Sequence, residues 1–185
     1  MTDFIKFIEI DNIDEIKNEL KNLSFTFLKK SKDAYSALIP KDIIKDKIPA
    51  LENWLRGLSV YPFSLKFYFT PPGAELAPHM DGSNATPINW GINIPVINYE
   101  KGKTFFYDCD ESNIDSEKEF NKFNQRLFRR PLDKDKLRLV KTYVVDKPCA
   151  ISTNVMHSAT NYGDSTRVIL LIRWPLKVKS YKEIL

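Results

Sequence analysis

A mainly β fold with flanking helices (α+β), arranged as a sandwich or closed jelly roll, is what the sequence predicts, on three observations. From Ser64 onward, about eight short β-like runs alternate with turn residues. Apolar residues at helical spacing are confined to roughly the first 60 positions and one later insertion. No heptad or short repeat persists along the 185 residues, and no apolar run approaches the ~20 residues of a membrane span.

Taken in order, Phe4 to Ile10 alternates like a short strand. Asp11 or Asn12 then caps a helix running to about Lys21, with Ile13, Ile16 and Leu20 on one face. Ser24 to Leu28 reads as a second strand. Pro40 and Lys41 open a second helix, in which Ile44, Ile48, Leu51, Trp54 and Leu55 recur at helical spacing, and Gly57 ends it. The β-like runs are Ser64–Thr70, Ala77–Asp81, Ile88–Ile97, Lys103–Tyr107, Leu137–Val145, Cys149–Ser152, Val155–Ala159 and Thr166–Trp174. Pro71-Pro72-Gly73, Asn98 to Gly102, Asp146 to Pro148 and Asn161 to Asp164 punctuate them. A helical insertion is expected over about 114–130, where Glu117, Phe120, Phe123, Leu127 and Phe128 mix charges and aromatics. No flexible linker divides the chain, so residues 1–185 are expected to form one domain. Its parts are a helical or mixed segment over about 1–60 and a jelly-roll core over about 64–174.

Composition narrows the function classes. The chain is 43% hydrophobic, enough for a core, and its 28 Lys+Arg against 24 Asp+Glu leave a net charge of only +4. Lys29-Lys30, Arg129-Arg130 and Lys177 to Lys182 are short and diluted, unlike the basic stripe of a nucleic-acid-binding domain. Nucleic acid is therefore not an expected partner, and neither is a membrane. Two cysteines, Cys109 and Cys149, cannot build a disulfide framework, and MTDFIKFIEI lacks a signal-peptide layout. Both point to a reducing, cytoplasmic setting.

Histidine is the scarcest informative residue, with only His79 and His157. On an extended strand, His79 and Asp81 point to the same face and can converge on one ion. An imidazole and a carboxylate suit Fe(II), Mn(II) or Zn(II). Taken alone, the pair fits a surface Pro-His-x-Asp-Gly turn better than a metal site. His157 follows a turn on a short apolar run. If Asn161-Tyr162-Gly163 is a three-residue hairpin loop with glycine in the left-handed position, His157 lies opposite Arg167. A buried arginine needs a carboxylate or phosphate partner, and no protein acid is an obvious one. A carboxylate ligand would satisfy it.

These residues resemble the signature of the Fe(II)- and 2-oxoglutarate-dependent oxygenases, enzymes built on the double-stranded β-helix, a cupin-like jelly roll. That signature is His-x-Asp, a distal His, and an Arg around ten residues later at the start of a strand; here it reads His79-x-Asp81, His157 and Arg167. Gly91-Ile92-Asn93-Ile94-Pro95-Val96 followed by Thr104-Phe105-Phe106-Tyr107 is similar to the segment after His-x-Asp in small bacterial and phage-type members. The resemblance implies that His79, Asp81 and His157 hold iron and that Arg167 pairs with the distal carboxylate of 2-oxoglutarate. It also implies that O2 is consumed and a C–H bond of a peptidyl residue, amino acid or small metabolite is hydroxylated. Many members carry Arg-x-Ser where this chain has Arg167-Val168-Ile169, so another hydroxyl must serve the cosubstrate. Tyr68 is the first candidate, followed by Asn93 and Thr104, with core packing or strand capping as the other reading of Tyr68 and Asn93. Arg173 reads as a surface salt bridge. The alternatives are a cupin-like module that binds metal and a small ligand without oxygenase activity, and a two-His, one-Asp zinc hydrolase, which lacks an evident general-base Glu.

Overall fold

The computed structural model describes residues 4–82, 89–115, 128–174, 178 and 180–185. Two antiparallel sheets face each other. The first has six strands in the order β1 (Ile5–Phe7), β9 (Cys149–Ser152), β5 (Trp90–Ile97), β11 (Arg167–Arg173), β3 (Ser64–Thr70) and β2 (Tyr35–Leu38). The second runs β7 (Phe128–Arg129), β4 (Glu75–Asp81), β10 (His157–Asn161), β6 (Gly102–Asp108) and β8 (Arg138–Tyr143). Every strand expected from Ser64 onward is present, with ends shifted by a few residues.

The helices cover the outer face of the six-stranded sheet. Helix α1 spans Ile13–Phe27, so Ser24 to Leu28 is not a strand. Its apolar stripe continues as Ile16, Leu20, Leu23 and Phe27, and Ser24 is buried beside it, bonding back to the Lys21 carbonyl at 2.8 Å. That stripe overrides the β propensity of Phe25-Thr26-Phe27. Asn12 sits at the helix start in the left-handed region (φ 57°), and its side chain makes no capping bond. The second helical pattern is two helices, α2 (Lys41–Lys47) and α3 (Pro49–Arg56). A residue before proline is driven out of the helical region, and Ile48 accordingly has φ −137° and ψ 58°, while Pro49 begins α3. Gly57 does end α3, but in right-handed geometry.

Alternation on the strands sorts the two faces of this sheet. Leu65, Phe67, Phe69, Ile92, Ile94, Val168, Leu170, Ile172 and Trp174 pack against the helices in one large core. Their neighbours Tyr68, Asn93, Arg167 and Arg173 therefore face the space between the sheets. One half of that space is filled by Ile5, Phe106, Val145, Cys149 and Ile151. The other half is polar.

Two expectations are overturned here. β10 and β11 do not pair: β11 lies between β3 and β5, and β10 between β4 and β6, in different sheets. His157 is thus opposite His79 and Phe106, not Arg167. The turn after β10 crosses between sheets, and its geometry comes from Asn161 rather than a left-handed glycine. The buried Asn161 amide donates to the carbonyls of Thr70 and Ser165, each at 2.8 Å, and its Oδ1 accepts from the Gly163 N–H at 2.9 Å. Of the expected helical insertion, residues 116–127 lie outside the described residues. On its described flanks it is not helical: Phe128–Arg129 pairs with β4 as strand β7, Glu111–Asn113 forms a short 3₁₀ turn, and Ile114 bridges to Pro131. No helix of the described residues is long and apolar enough to cross a membrane.

Candidate metal centre

His79 and Asp81 end β4 and His157 begins β10, so strand pairing draws the three together. The register slips by one residue just before His79, at Pro78, which has no N–H to contribute to the ladder. The Asp81 N–H donates to the Thr153 carbonyl at 2.8 Å, and Gly82 turns the chain away in left-handed geometry (φ 76°).

One ligand atom from each of His79, Asp81 and His157 lies within 4.8 Å of the others, and all three residues are buried. The rings of the two histidines are 4.4 Å apart, centre to centre. Each Nδ1 sits against the carbonyl two residues back: His79 on Ala77 at 2.8 Å and His157 on Val155 at 2.7 Å. A carbonyl only accepts, so each Nδ1 carries the proton, and in the neutral ring Nε2 presents its lone pair. The Nε2 of His79 then faces Oδ1 of Asp81 at 3.4 Å. Two acceptors turned toward one another across a buried gap are what a divalent cation relieves. The donor set fits Fe(II), Mn(II) or Zn(II).

The electrostatics favour the ligating protonation states. Burial pushes the Asp81 carboxyl upward, but the Arg173 guanidinium beside it outweighs that, holding it well below the usual carboxylate range. Burial and the neighbouring His79 push His157 down to about 4, so it is neutral at physiological pH.

Arg173 is not a surface salt bridge. It is buried, its Nε donates to Asp81 Oδ2 at 2.8 Å, and its Nη1 donates to Asn93 Oδ1 at 3.0 Å and to the Ile172 carbonyl at 3.2 Å. Asn93, expected to touch the cosubstrate, has its carbonyl oxygen committed to Arg173. The signal for this role was the even spacing of Arg167 and Arg173, which puts both on one strand face.

Arg167 lies on the same inward face and is 3% exposed. Its Nε has no hydrogen-bond partner, and no carboxylate pairs with it among the described residues. Burial pulls its pKa down to about 10, against the pull of Cys149 and Tyr68, which raise it. Gly102 makes room for it, since a Cβ there would overlap the Cδ and Nε of Arg167. Gly91 does the same for the Arg173 guanidinium. In register with Arg167 stands Thr70, whose buried Oγ1 also lacks a partner. The sequence reading missed Thr70, because no sequence signal shows that β3 pairs with β11. Tyr68 is two residues along the same face, with burial raising its hydroxyl pKa and Arg167 lowering it. Thr104 is buried two residues from Gly102 on β6, facing inward.

No protein-family model matches the sequence, and no match is found among curated proteins. Solved structures do match. AviO1 from Streptomyces viridochromogenes Tue57 superposes with a TM-score of 0.54 at 14% identity, over 94% of this chain and 90% of that one. The double-stranded β-helix is the fold they share. The epimerase SnoN, crystallised with Fe3+, alpha ketoglutarate and nogalamycin RO, gives 0.52 at 12% identity, over 92% and 78%. The non-heme alpha ketoglutarate dependent carbocyclase SnoK from nogalamycin biosynthesis gives 0.52 at 12% identity, over 91% and 76%. At such identities the likeness is one of fold.

Proposed function

We propose that this chain is an Fe(II)- and 2-oxoglutarate-dependent oxygenase that hydroxylates a C–H bond of a small metabolite, an amino acid or a peptidyl residue. The observation that carries the reading is the buried Arg167, which has no carboxylate partner among the described residues and lies on the inward face shared with Arg173, which itself holds Asp81 of the two-histidine, one-carboxylate cluster. A buried guanidinium without a counter-ion is costly, and a carboxylate received by its planar fork offsets that cost.

His79, Asp81 and His157 would hold the iron, leaving the other coordination positions for cosubstrate and oxygen. Arg167 and Thr70 would receive the distal carboxylate of 2-oxoglutarate, with Tyr68 alongside. With 2-oxoglutarate and O2, iron in such a site supplies an oxidant strong enough for an unactivated C–H bond, releasing succinate and CO2. Arg173 and Asn93 hold the Asp81 carboxylate in place, and the two backbone carbonyls hold the imidazoles. The apolar half of the interior, around Phe106 and Cys149, keeps water from that side of the cluster. SnoN, crystallised with Fe3+ and alpha ketoglutarate, and the alpha ketoglutarate dependent SnoK share the fold, which supports the reading.

Adding Fe(II) and 2-oxoglutarate under argon should produce a weak visible charge-transfer band that His79→Ala abolishes. Iron binding by a folded protein without any such band overturns the proposal in favour of a cupin-like module that binds metal and a small ligand. Arg167→Met should weaken 2-oxoglutarate at least about tenfold while iron is retained.

A further inference from the structure

The polar half of the interior opens at one flank. β2 is the edge strand of the six-stranded sheet, and its Ser36 and Leu38 stand in register with Tyr68 and Lys66 of β3. Both are exposed, Leu38 at 58%. Lys66 is therefore the inward-facing residue of β3 at this open flank, two positions from Tyr68 and opposite Leu171 of β11. It is half-buried and, among the described residues, its ammonium has no hydrogen bond or ion pair. Burial lowers its pKa, while the field of Asp81 raises it and that of Arg173 lowers it. Asp81 cannot serve as its counter-ion, because Arg173 holds that carboxylate at 2.8 Å and its other oxygen faces His79.

Among the described residues, Lys66, Arg167 and Arg173 thus face one protein carboxylate, that of Asp81. A divalent iron and a doubly charged 2-oxoglutarate still leave positive charge in excess, and a neutral substrate would leave Lys66 half-buried without a counter-ion. 2-Oxoglutarate does not fill that place. Its distal carboxylate has a deeper seat at Arg167, which is bedded on Gly102 and closed to solvent, whereas Lys66 is only half-buried, beside the exposed edge strand β2. We propose that Lys66 anchors an anionic group, a carboxylate or a phosphate, on the molecule that the site oxidises. The inference rests on the oxygenase reading above and narrows its substrate class to small acids or phosphate esters.

Calorimetric titration of the Fe(II)- and 2-oxoglutarate-loaded protein under argon tests this with matched probes. These are hexanoate, hexyl phosphate and hexanamide, and phenylacetate, phenyl phosphate and phenylacetamide. In at least one set the acid or the phosphate should bind about tenfold or more tighter than the amide, and which of the two binds better identifies the group. The preference should vanish in Lys66→Met and persist in Lys66→Arg, with 2-oxoglutarate affinity within about twofold of the parent in both. Equal binding of anion and amide in both sets overturns the proposal. So does a preference that survives Lys66→Met, or a Lys66→Met loss that falls on 2-oxoglutarate instead. If 2-oxoglutarate fails to bind the parent protein, the oxygenase reading falls by itself, and the same probes on the iron-loaded protein alone still report on Lys66.

Discussion

The Nε of Arg173 and the Oδ2 of Asp81 lie 2.8 Å apart, with each side chain about 10% exposed, while the other oxygen of Asp81 faces His79. The arginine fixes one half of the carboxylate and leaves the other half for an ion. Removing one partner of such a pair strands a buried charge. Arg173→Met should therefore lower unfolding stability by about 3–5 kcal/mol in urea titrations and weaken metal binding. Arg173→Lys should recover part of both, and Asp81→Asn combined with Arg173→Met should cost less stability than the single losses summed.

Gly102 and Gly91 separate the two arginines experimentally. A methyl at Gly102 would strike Arg167, and one at Gly91 would strike Arg173. Gly102→Ala should weaken 2-oxoglutarate at least about tenfold, or ~1.4 kcal/mol, and leave metal affinity within about twofold. Gly91→Ala should show the reverse, with the loss on the metal. Equal effects of both substitutions on both ligands would contradict these placements.

Asn161 links the end of β10 to β3 and to the turn before β11 with three side-chain hydrogen bonds in a fully buried position. Asn161→Ala leaves two carbonyls and one N–H without those partners, so the denaturation midpoint should fall by an amount equivalent to about 2–4 kcal/mol. Metal stoichiometry of the folded fraction should stay the same.

Acid should destabilise the metal-free protein in two stages. His157 is held near 4 in the fold against 6.5 for the free side chain, so below about pH 6.5 the unfolded chain takes up a proton that the folded one refuses. Stability is complete above that pH and declines toward pH 4, by no more than about 3 kcal/mol from this group. Asp81, whose folded pKa is depressed, adds a further loss only as the pH falls below the ordinary carboxylate range. Denaturant midpoints across pH 4–7 should show the first slope in the parent protein and a flattened one in His157→Leu.

The order of strands along the chain and the identity of the cluster were legible in the sequence because both are local. Period-two alternation and turn residues mark Ser64–Thr70 and its successors without reference to anything distant. His79 and Asp81 share a strand face whatever that strand pairs with, and the scarcity of histidine singled out His157. Helix ends were less legible where neighbouring signals competed: Pro49 split one helical pattern in two, and the stripe through Leu23 and Phe27 carried α1 past the point where β-rich residues suggested a strand. What only the tertiary structure decided is which strands meet, since pairing across sheets depends on loop crossings and burial that no local pattern encodes. It put His157 against His79 rather than Arg167, turned Arg173 from the surface onto Asp81, and set Thr70 beside Arg167. Those are contacts between residues far apart in the chain, and they exist because a folded interior brings buried charges to the few partners that can answer them.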